Sequence, residues 1–100
     1  MITIQSELLN INIKKAGAEL CNIIHCGNGL EYIWQAGPEW PKHSPILFPI
    51  VGQLKNDRYK WGDKTYSLPR HGFARNMEFQ PMSINNDSAT FEISSNDETL

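Results

Sequence analysis

The chain has 100 residues, of which 40% are hydrophobic and 20% are charged, a composition typical of a folded globular domain and not of a disordered segment. Nine basic and eleven acidic residues give a net charge of −2, and Lys14-Lys15 is the only adjacent basic pair. This balance lacks the basic stripe that nucleic-acid binding requires, and no apolar run reaches membrane-spanning length, so we expect neither nucleic acid nor a membrane as a partner.

The N-terminal quarter of the chain indicates where the protein is located in the cell and whether it binds a metal ion. Polar residues interrupt positions 1–15, which therefore lack the continuous apolar segment of a secretory signal, and we expect a cytoplasmic protein. Cys21, His25 and Cys26 lack a fourth ligand and the C-x-x-C spacing of common zinc sites. We interpret both cysteines as reduced thiols in the core or in a turn, and we expect no metal site.

Period-two alternation of apolar and polar residues, which is typical of half-buried strands, recurs along the first third of the chain. It predicts a short strand at positions 2–4, a second strand over residues 9–13 and a third over residues 20–25. A turn is expected at residues 27–29, which contain two glycines. Residues 31–34 then predict another strand, because tyrosine, isoleucine and tryptophan favour a pleated surface.

The middle of the chain, residues 37–57, is expected to form an irregular loop. Pro38, Pro41, Pro45 and Pro49 each remove a backbone donor and restrain the preceding residue, which excludes a regular central strand. The loop is also apolar, so it should pack against other parts of the protein. It could cover the core or form a rigid wall of a binding site, and the residues leave both interpretations open.

A hairpin is predicted over residues 58–61 and 64–68. Gly62 begins the two-residue loop, which suits a type II′ turn because that position needs a positive φ. In this register Tyr59 faces Tyr66, a favourable aromatic pair across the strands.

The alternation returns over residues 89–93 and predicts a final strand. No window shows the 3.6-residue period of an amphipathic helix. The sequence therefore predicts an all-β protein built from short strands.

The segment after the hairpin carries the chemically versatile side chains. Arg70 and Arg75 flank His71, and arginine offers a planar fork of donors for hydroxyls, carboxylates or phosphates. Histidine exchanges protons near neutral pH, although a histidine after a strand also often caps a turn. Gly72 permits close approach of backbone or ligand, and Phe73 could present a flat face to a sugar or fill the core.

Five stretches occur in an order that resembles the aldose 1-epimerase (galactose mutarotase-like) family, and within it the LacX-like branch. They are KAGAEL at 15–20, EYIWQ at 31–35, WPKHSPILFPIVG at 40–52, YSLPRHGFAR at 66–75 and SNDETL at 95–100. Together they cover nearly the whole chain. The Ser-Pro-x-Leu-Phe-Pro and His-Gly-Phe-Ala-Arg blocks in tandem are the most specific part of the resemblance.

The resemblance implies an antiparallel β-sandwich (the galactose mutarotase-like supersandwich) that binds a hexose in a concave face. It implies an isomerase of carbohydrate metabolism, a mutarotase that interconverts α and β anomers by acid/base ring opening without a cofactor. It gives His71 a supporting, sugar-positioning role and Arg75 a substrate contact. Arg70, Phe73 and the pair Lys42-His43 are further candidates for lining the same sugar site.

Family members are longer than this chain, and their general acid and base lie downstream of the His-Gly-Phe block. We therefore expect residues 1–100 to be a truncated N-terminal segment of one sandwich domain, ending at a strand entrance and inactive alone, so whether this chain is itself an enzyme stays open. The ligand could be a free hexose or a hexose phosphate that the arginines meet.

Two alternatives remain beside the mutarotase. The first is a non-catalytic carbohydrate-binding β-sandwich that uses the same face. The second is a β-domain for protein contacts, because a partial sheet exposes an apolar face and open edges that could pair in a homodimer.

Overall fold

A computed structural model describes residues 1–96, which form seven short strands and two 3₁₀ turns. The strands are β1 Ile2–Gln5, β2 Leu9–Lys14, β3 Glu19–His25, β4 Arg58–Trp61, β5 Lys64–Ser67, β6 Gln80–Ile84 and β7 Ala89–Glu92. The 3₁₀ turns span Lys55–Asp57 and Ala74–Asn76. All strand pairs are antiparallel, which confirms the all-β prediction. The strand entrance expected at 95–100 falls largely outside the described residues.

The three N-terminal strands form one sheet in the order β1-β2-β3. Its register places Ile11 opposite both Ile4 and Ile23, so isoleucines continue across one face as the alternation predicts. On the opposite face Asn12 accepts a hydrogen bond from Thr3 at 2.7 Å and donates one to Asn22 at 3.0 Å. The sheet therefore has an apolar face and a hydrogen-bonded polar face.

The predicted hairpin forms as β4 and β5, with Tyr59 opposite Tyr66. Their rings stack at a centroid distance of 5.2 Å and an interplanar angle of 21°. Gly62 has φ +62°, the positive value required at the first loop position, whereas Asp63 is not among the residues of positive φ. This confirms both the register and the glycine-first turn.

The last two strands, β6 and β7, also form a hairpin, of which only β7 is predicted by the alternation. Pro81 lies inside β6, where a register shift between Pro81 and Ser83 interrupts the ladder. A proline is compatible with a two-stranded ribbon because each strand has one edge that needs no donor.

The strand predicted at residues 31–34 is wrong, since only an isolated bridge joins Glu31 to Ile24. The Glu31 carboxylate accepts the amides of Ile23 and Ile33, each at 3.0 Å, and a side-chain donor of Asn22 at 3.1 Å. Backbone hydrogen bonds join β3 to this segment only at Leu30 and Tyr32, and the Glu31 side chain satisfies the Ile23 and Ile33 amides.

The described residues form a thin layer with extents of 57 × 33 × 15 Å. Their buried apolar side chains are few: Cys21, Leu68, Ala74 and Phe79. Large apolar side chains such as Val51 and Trp61 are each 77% exposed. The expected exposed apolar surface is therefore present, and the homodimer through sheet edges stays a prediction. No helix in residues 1–96 is long and apolar enough to cross a membrane.

We predict that Glu31→Gln makes stability less sensitive to acid. Burial raises the pKa of Glu31, but hydrogen bonds from the Ile23 and Ile33 amides and from Asn22, with the charge of His43, lower it below its ordinary value. Because the folded pKa lies below the unfolded one, the stabilisation is complete above the unfolded value of about 4.3. It is lost as the pH falls through the folded pKa.

Urea unfolding at several pH values between about 7 and about 3 checks this. The wild type should lose more stability on acidification than Glu31→Gln, so that the two converge at the acid end. Glu7→Gln, which changes an exposed carboxyl, is the matched control and should follow the wild type. A constant difference between the wild type and Glu31→Gln at every pH would contradict the prediction.

Candidate functional site

The proline-rich loop is tied to the start of β3 by buried polar contacts. Glu19 is only 3% exposed, and its Oε2 accepts the backbone N–H of His43 at 2.8 Å. The Ser44 hydroxyl donates to the Leu20 carbonyl at 2.7 Å, and these two residues form an isolated bridge. The loop is therefore packed against the sheet and holds Lys42 and His43 in a defined place.

Glu19 also sets the charge beneath this loop. Lys14 Nζ lies 3.6 Å from its Oε1, and His43 Nδ1 lies 3.5 Å from its Oε2. The second contact has an ion-pair distance but is no hydrogen bond, and His43 Nδ1 is buried without a hydrogen-bond partner. Sequence reasoning did not single out Glu19. A carboxylate at the entrance of a half-buried strand is the signal that a partner should exist.

The opposite wall carries His71, whose backbone is left-handed with φ +62°. Its N–H donates to the Gly52 carbonyl at 2.7 Å, and the Gly52 N–H donates back to His71 Nδ1 at 2.9 Å. Because Nδ1 is an acceptor here, the proton of the neutral imidazole lies on Nε2. The ring therefore offers a fixed N–H donor and no second acceptor.

The next residue, Gly72, allows this wall to dock on the loop. It has φ +77°, and a Cβ added there would overlap the carbonyl group of Phe48. That carbonyl oxygen accepts the amides of Phe73 at 3.0 Å and of Ala74 at 3.2 Å. A glycine is needed at this position both for its conformation and for its lack of a side chain.

Arg75 follows on the 3₁₀ turn and is held from two sides. Its Nη2 donates to the Arg70 carbonyl at 3.0 Å, while its Nε is buried without a hydrogen-bond partner. Gly17 contacts its backbone so closely that a Cβ on Gly17 would lie 2.6 Å from the Arg75 carbonyl oxygen. The guanidinium is therefore anchored through Nη2, and its buried Nε–H donor is unused.

Five of the six predicted site residues line one cavity of about 440 Å³: Lys42, His43, Arg70, His71 and Arg75. Trp40 and Leu47 belong to the same lining. Phe73, the sixth, is not part of it, because its ring packs edge-to-face on Phe48 at a centroid distance of 6.3 Å. Of the two roles expected for Phe73, the geometry fits packing, and the aromatic residue of the cavity lining is Trp40.

A larger groove of about 1360 Å³ lies between the β1–β2 turn and the β6–β7 turn. It is open to solvent, and none of the predicted site residues lines it. The smaller cavity is the candidate site because the chemically versatile side chains converge there.

The cysteines lie apart from this chemistry. Burial raises the pKa of the Cys21 thiol, and its Sγ donates to the Glu19 carbonyl at 3.3 Å, whereas Cys26 is exposed. No group of three or more histidine, cysteine, aspartate or glutamate side chains within residues 1–96 is arranged to hold a metal ion.

Comparison with known proteins gives consistent matches. The sequence model described as "Aldose 1-epimerase" matches residues 1–100. The chromosomal protein LacX of Lactococcus lactis subsp. lactis is 42% identical over 105 residues, which is 99% of this chain and 35% of LacX. The chain thus spans about one third of the length of this relative.

Two solved structures resemble the described chain. A galactose mutarotase related enzyme from Lactobacillus acidophilus has a TM-score of 0.95 at 43% identity, over 98% of this chain and 33% of its own. A galactose mutarotase-like protein from Lactobacillus casei ATCC 334 has a TM-score of 0.94 at 37% identity, over 99% and 34%. These scores confirm the galactose mutarotase-like fold, while the assignment of residues 1–100 to a single sandwich domain stays a prediction.

We predict that Gly72→Ala destabilises the chain more than Gly29→Ala. Both glycines have positive φ, +77° and +72°, but an added Cβ meets nothing within 4 Å at Gly29. Gly29→Ala should therefore cost only the left-handed strain, about 1 kcal/mol. Gly72→Ala should cost roughly 1–3 kcal/mol more, because its Cβ overlaps the Phe48 carbonyl. Urea unfolding of both variants measures the difference, and equal losses would refute the docking argument.

Proposed function

The chain belongs to the aldose 1-epimerase family, and we propose that its cavity forms part of the hexose site of a mutarotase. The observation that carries this proposal is the convergence of the proline-rich loop and the His-Gly-Phe-Ala-Arg segment on one cavity. A volume of about 440 Å³ lies within the range of small-molecule sites, roughly 300–1,000 Å³. The chain spans about a third of the length of its relatives, so the activity of a protein as long as theirs is itself proposed.

The reaction proposed for that protein is interconversion of the α and β anomers of a hexose. Ring opening requires a proton on the ring oxygen and removal of a proton from the anomeric hydroxyl, and ring closure after rotation reverses both steps. His71 suits only part of this work. Its Nε2–H can donate to a sugar oxygen, but its Nδ1 already accepts from Gly52 and cannot take up a proton from the sugar.

The residues that line the cavity support sugar positioning more than proton abstraction. Donors come from Lys42, Arg70, His71 and Arg75, and no aspartate or glutamate occurs in the lining that the described residues provide. The imidazole of His43 also lines the cavity, with its Nδ1 3.5 Å from the Glu19 carboxylate. Trp40 adds an aromatic surface on which the apolar face of a pyranose could lie. We therefore assign this chain the positioning of the sugar, and we place the general acid and base outside the described residues.

The absence of a carboxylate from the described lining also favours a second candidate function, non-catalytic carbohydrate binding through the same cavity. In that case the whole protein would bind a hexose without accelerating anomer exchange. A role in protein contacts has support only from the exposed apolar side chains. A cytoplasmic location remains a prediction of the sequence.

The isolated 100-residue chain is expected to leave mutarotation at its spontaneous rate. The reason is that the cavity lining within the described residues contains no aspartate or glutamate to act as the general base. Polarimetry of freshly dissolved α-D-galactose and α-D-glucose, with and without the chain, measures this. A rate that rises in proportion to chain concentration would show that residues 1–100 contain a complete catalytic site.

A longer protein that contains residues 1–100 and matches the length of the relatives should accelerate mutarotation. Its His71→Ala variant should have a lower kcat/KM. We expect a roughly tenfold to hundredfold loss, because a preorganised donor to the sugar disappears. His71→Asn should recover part of it, since asparagine tolerates the left-handed backbone and keeps an N–H donor. Polarimetry and exchange NMR measure the rates.

His25→Asn is the matched control for these variants. His25 Nδ1 accepts the amides of Gly27 and Asn28 in a turn, and His25 does not line the cavity. This variant should keep the wild-type kcat/KM. An inactive wild-type protein that nevertheless binds hexose would favour the non-catalytic alternative, and a fully active His71→Ala protein would remove His71 from the site.

A further inference from the structure

We infer that Glu19 positions the imidazole of His43 so that its Nε2 accepts a hydrogen bond from a sugar hydroxyl. Glu19 acts through His43 and is a positioning residue, whereas His43 contacts the sugar. This inference rests on the proposed function, because it assigns a role within the same cavity. The cavity then contains two imidazoles of opposite character, with His71 as the donor and His43 as the acceptor.

The Glu19 carboxylate is held from two sides behind the proline-rich loop. Glu19 begins β3 and lies opposite Lys14 in the antiparallel register of β2 and β3. Lys14 Nζ lies 3.6 Å from its Oε1, and the backbone N–H of His43 donates to its Oε2 at 2.8 Å. These contacts fix the place at which Oε2 meets the loop, and they do so from a regular strand.

The same Oε2 determines which ring nitrogen of His43 carries the proton. His43 Nδ1 is buried and lies 3.5 Å from the Glu19 Oε2. An unprotonated Nδ1 would bring a lone pair close to a carboxylate oxygen, which is repulsive, whereas an Nδ1–H is attracted to that oxygen. In a neutral imidazole a proton on Nδ1 leaves Nε2 as an acceptor. A carboxylate selects the tautomer of a histidine in the same way in the Ser-His-Asp triad.

The other two histidines of the sequence have the opposite tautomer. His71 Nδ1 accepts the Gly52 N–H at 2.9 Å. His25 Nδ1 accepts the amides of Gly27 at 3.1 Å and of Asn28 at 3.3 Å. Each of these rings, when neutral, therefore carries its proton on Nε2. The histidine beside the carboxylate is expected to differ from both, which makes the inference directly measurable.

The two cavity histidines together suit a ligand that bears hydroxyl groups. A hydroxyl both donates and accepts, so a sugar can donate to His43 Nε2 and accept from the His71 Nε2–H. The charged side chains of Lys42, Arg70 and Arg75 line the same cavity and act as donors alone. Among these five side chains, only the His43 imidazole accepts the hydrogen of a hydroxyl, and this contact gives the sugar a preferred orientation.

Long-range ¹H–¹⁵N correlation NMR of the histidine rings tests this inference, because the two neutral tautomers give different patterns. The sample is the longer protein that contains residues 1–100, and replacing one histidine at a time assigns the signals. At about pH 8, where an imidazole is ordinarily neutral, we expect Nδ1–H at His43 and Nε2–H at His25 and His71. Saturating D-galactose should then shift the His43 Nε2 resonance to lower frequency, because this nitrogen accepts a hydrogen bond.

The outcomes distinguish this inference from the proposed function. An Nε2–H tautomer or a doubly protonated ring at His43 would overturn the inference, whatever the cavity binds. Shifts at His71 on adding D-galactose, without a shift of His43 Nε2, would overturn the inference and leave the hexose site intact. No shift at either histidine would overturn the proposed function together with the sugar contact of His43.

A double-mutant cycle measures whether Glu19 acts through His43. Glu19→Gln keeps an oxygen for the His43 amide but removes the charge, so the Nδ1–H tautomer should lose its preference. The Kd for D-galactose should rise roughly twofold to tenfold, which corresponds to one hydrogen bond. In the His43→Ala background the same substitution should leave this Kd unchanged within about twofold.

Glu92→Gln is the matched control, because it neutralises an exposed carboxyl on β7, and it should bind D-galactose like the wild type. Amide dispersion like that of the wild type verifies folding of each variant. Equal rises of Kd for Glu19→Gln in the wild-type and His43→Ala backgrounds would contradict the positioning role. The tautomer measurement on the wild type needs no change at Glu19, so it decides the inference even where Glu19→Gln does not fold.

Discussion

The docking of the His71–Gly72 turn on the carbonyl of Phe48 is the contact on which the candidate site depends. That one oxygen accepts the amides of Phe73 and Ala74, and the approach is possible only because residue 72 has no side chain. The same docking brings His71 into its reciprocal hydrogen bonds with Gly52. The orientation of the imidazole is therefore set by backbone groups of a neighbouring loop. A site residue held in this way needs no rearrangement before a ligand binds.

The proline-rich loop would have no fixed position without a second anchor, and Glu19 provides it. Its buried carboxylate accepts the His43 amide, and the Ser44 hydroxyl donates to the carbonyl of Leu20, the next residue of the same strand. Glu19 lies behind the loop and does not line the cavity, whereas Lys42 does. The Glu19 carboxylate thus lies on the sheet side of the loop, and Lys42 lies on its cavity side.

Most strands could be predicted from the sequence because their cause is local. Alternation predicts β1 and β2, residues 20–25 predict β3, and Gly62 predicts the turn that pairs Tyr59 with Tyr66. Two strand assignments failed: β6 contains Pro81, which argues against a strand, and Glu31 uses its carboxylate to satisfy amides that a strand would pair. In the site, the family resemblance identified five lining residues. It could not identify Glu19, whose contact with His43 joins residues far apart in sequence. It also assigned Phe73 to the site, whereas Phe73 packs on Phe48 and the aromatic residue that lines the cavity is Trp40.

The chemistry of the lining limits what this chain can contribute to mutarotation. Anomer exchange needs one group that gives a proton and one that accepts a proton, at different oxygens of the sugar. Lys42, Arg70 and Arg75 are donors in their charged forms, and His71 has committed its acceptor nitrogen to Gly52. These four side chains therefore support binding of oxygen atoms, and none of them can abstract a proton while keeping its observed contacts. In the proposed function these donors orient the sugar, and the groups that exchange its protons are proposed to lie outside the described residues.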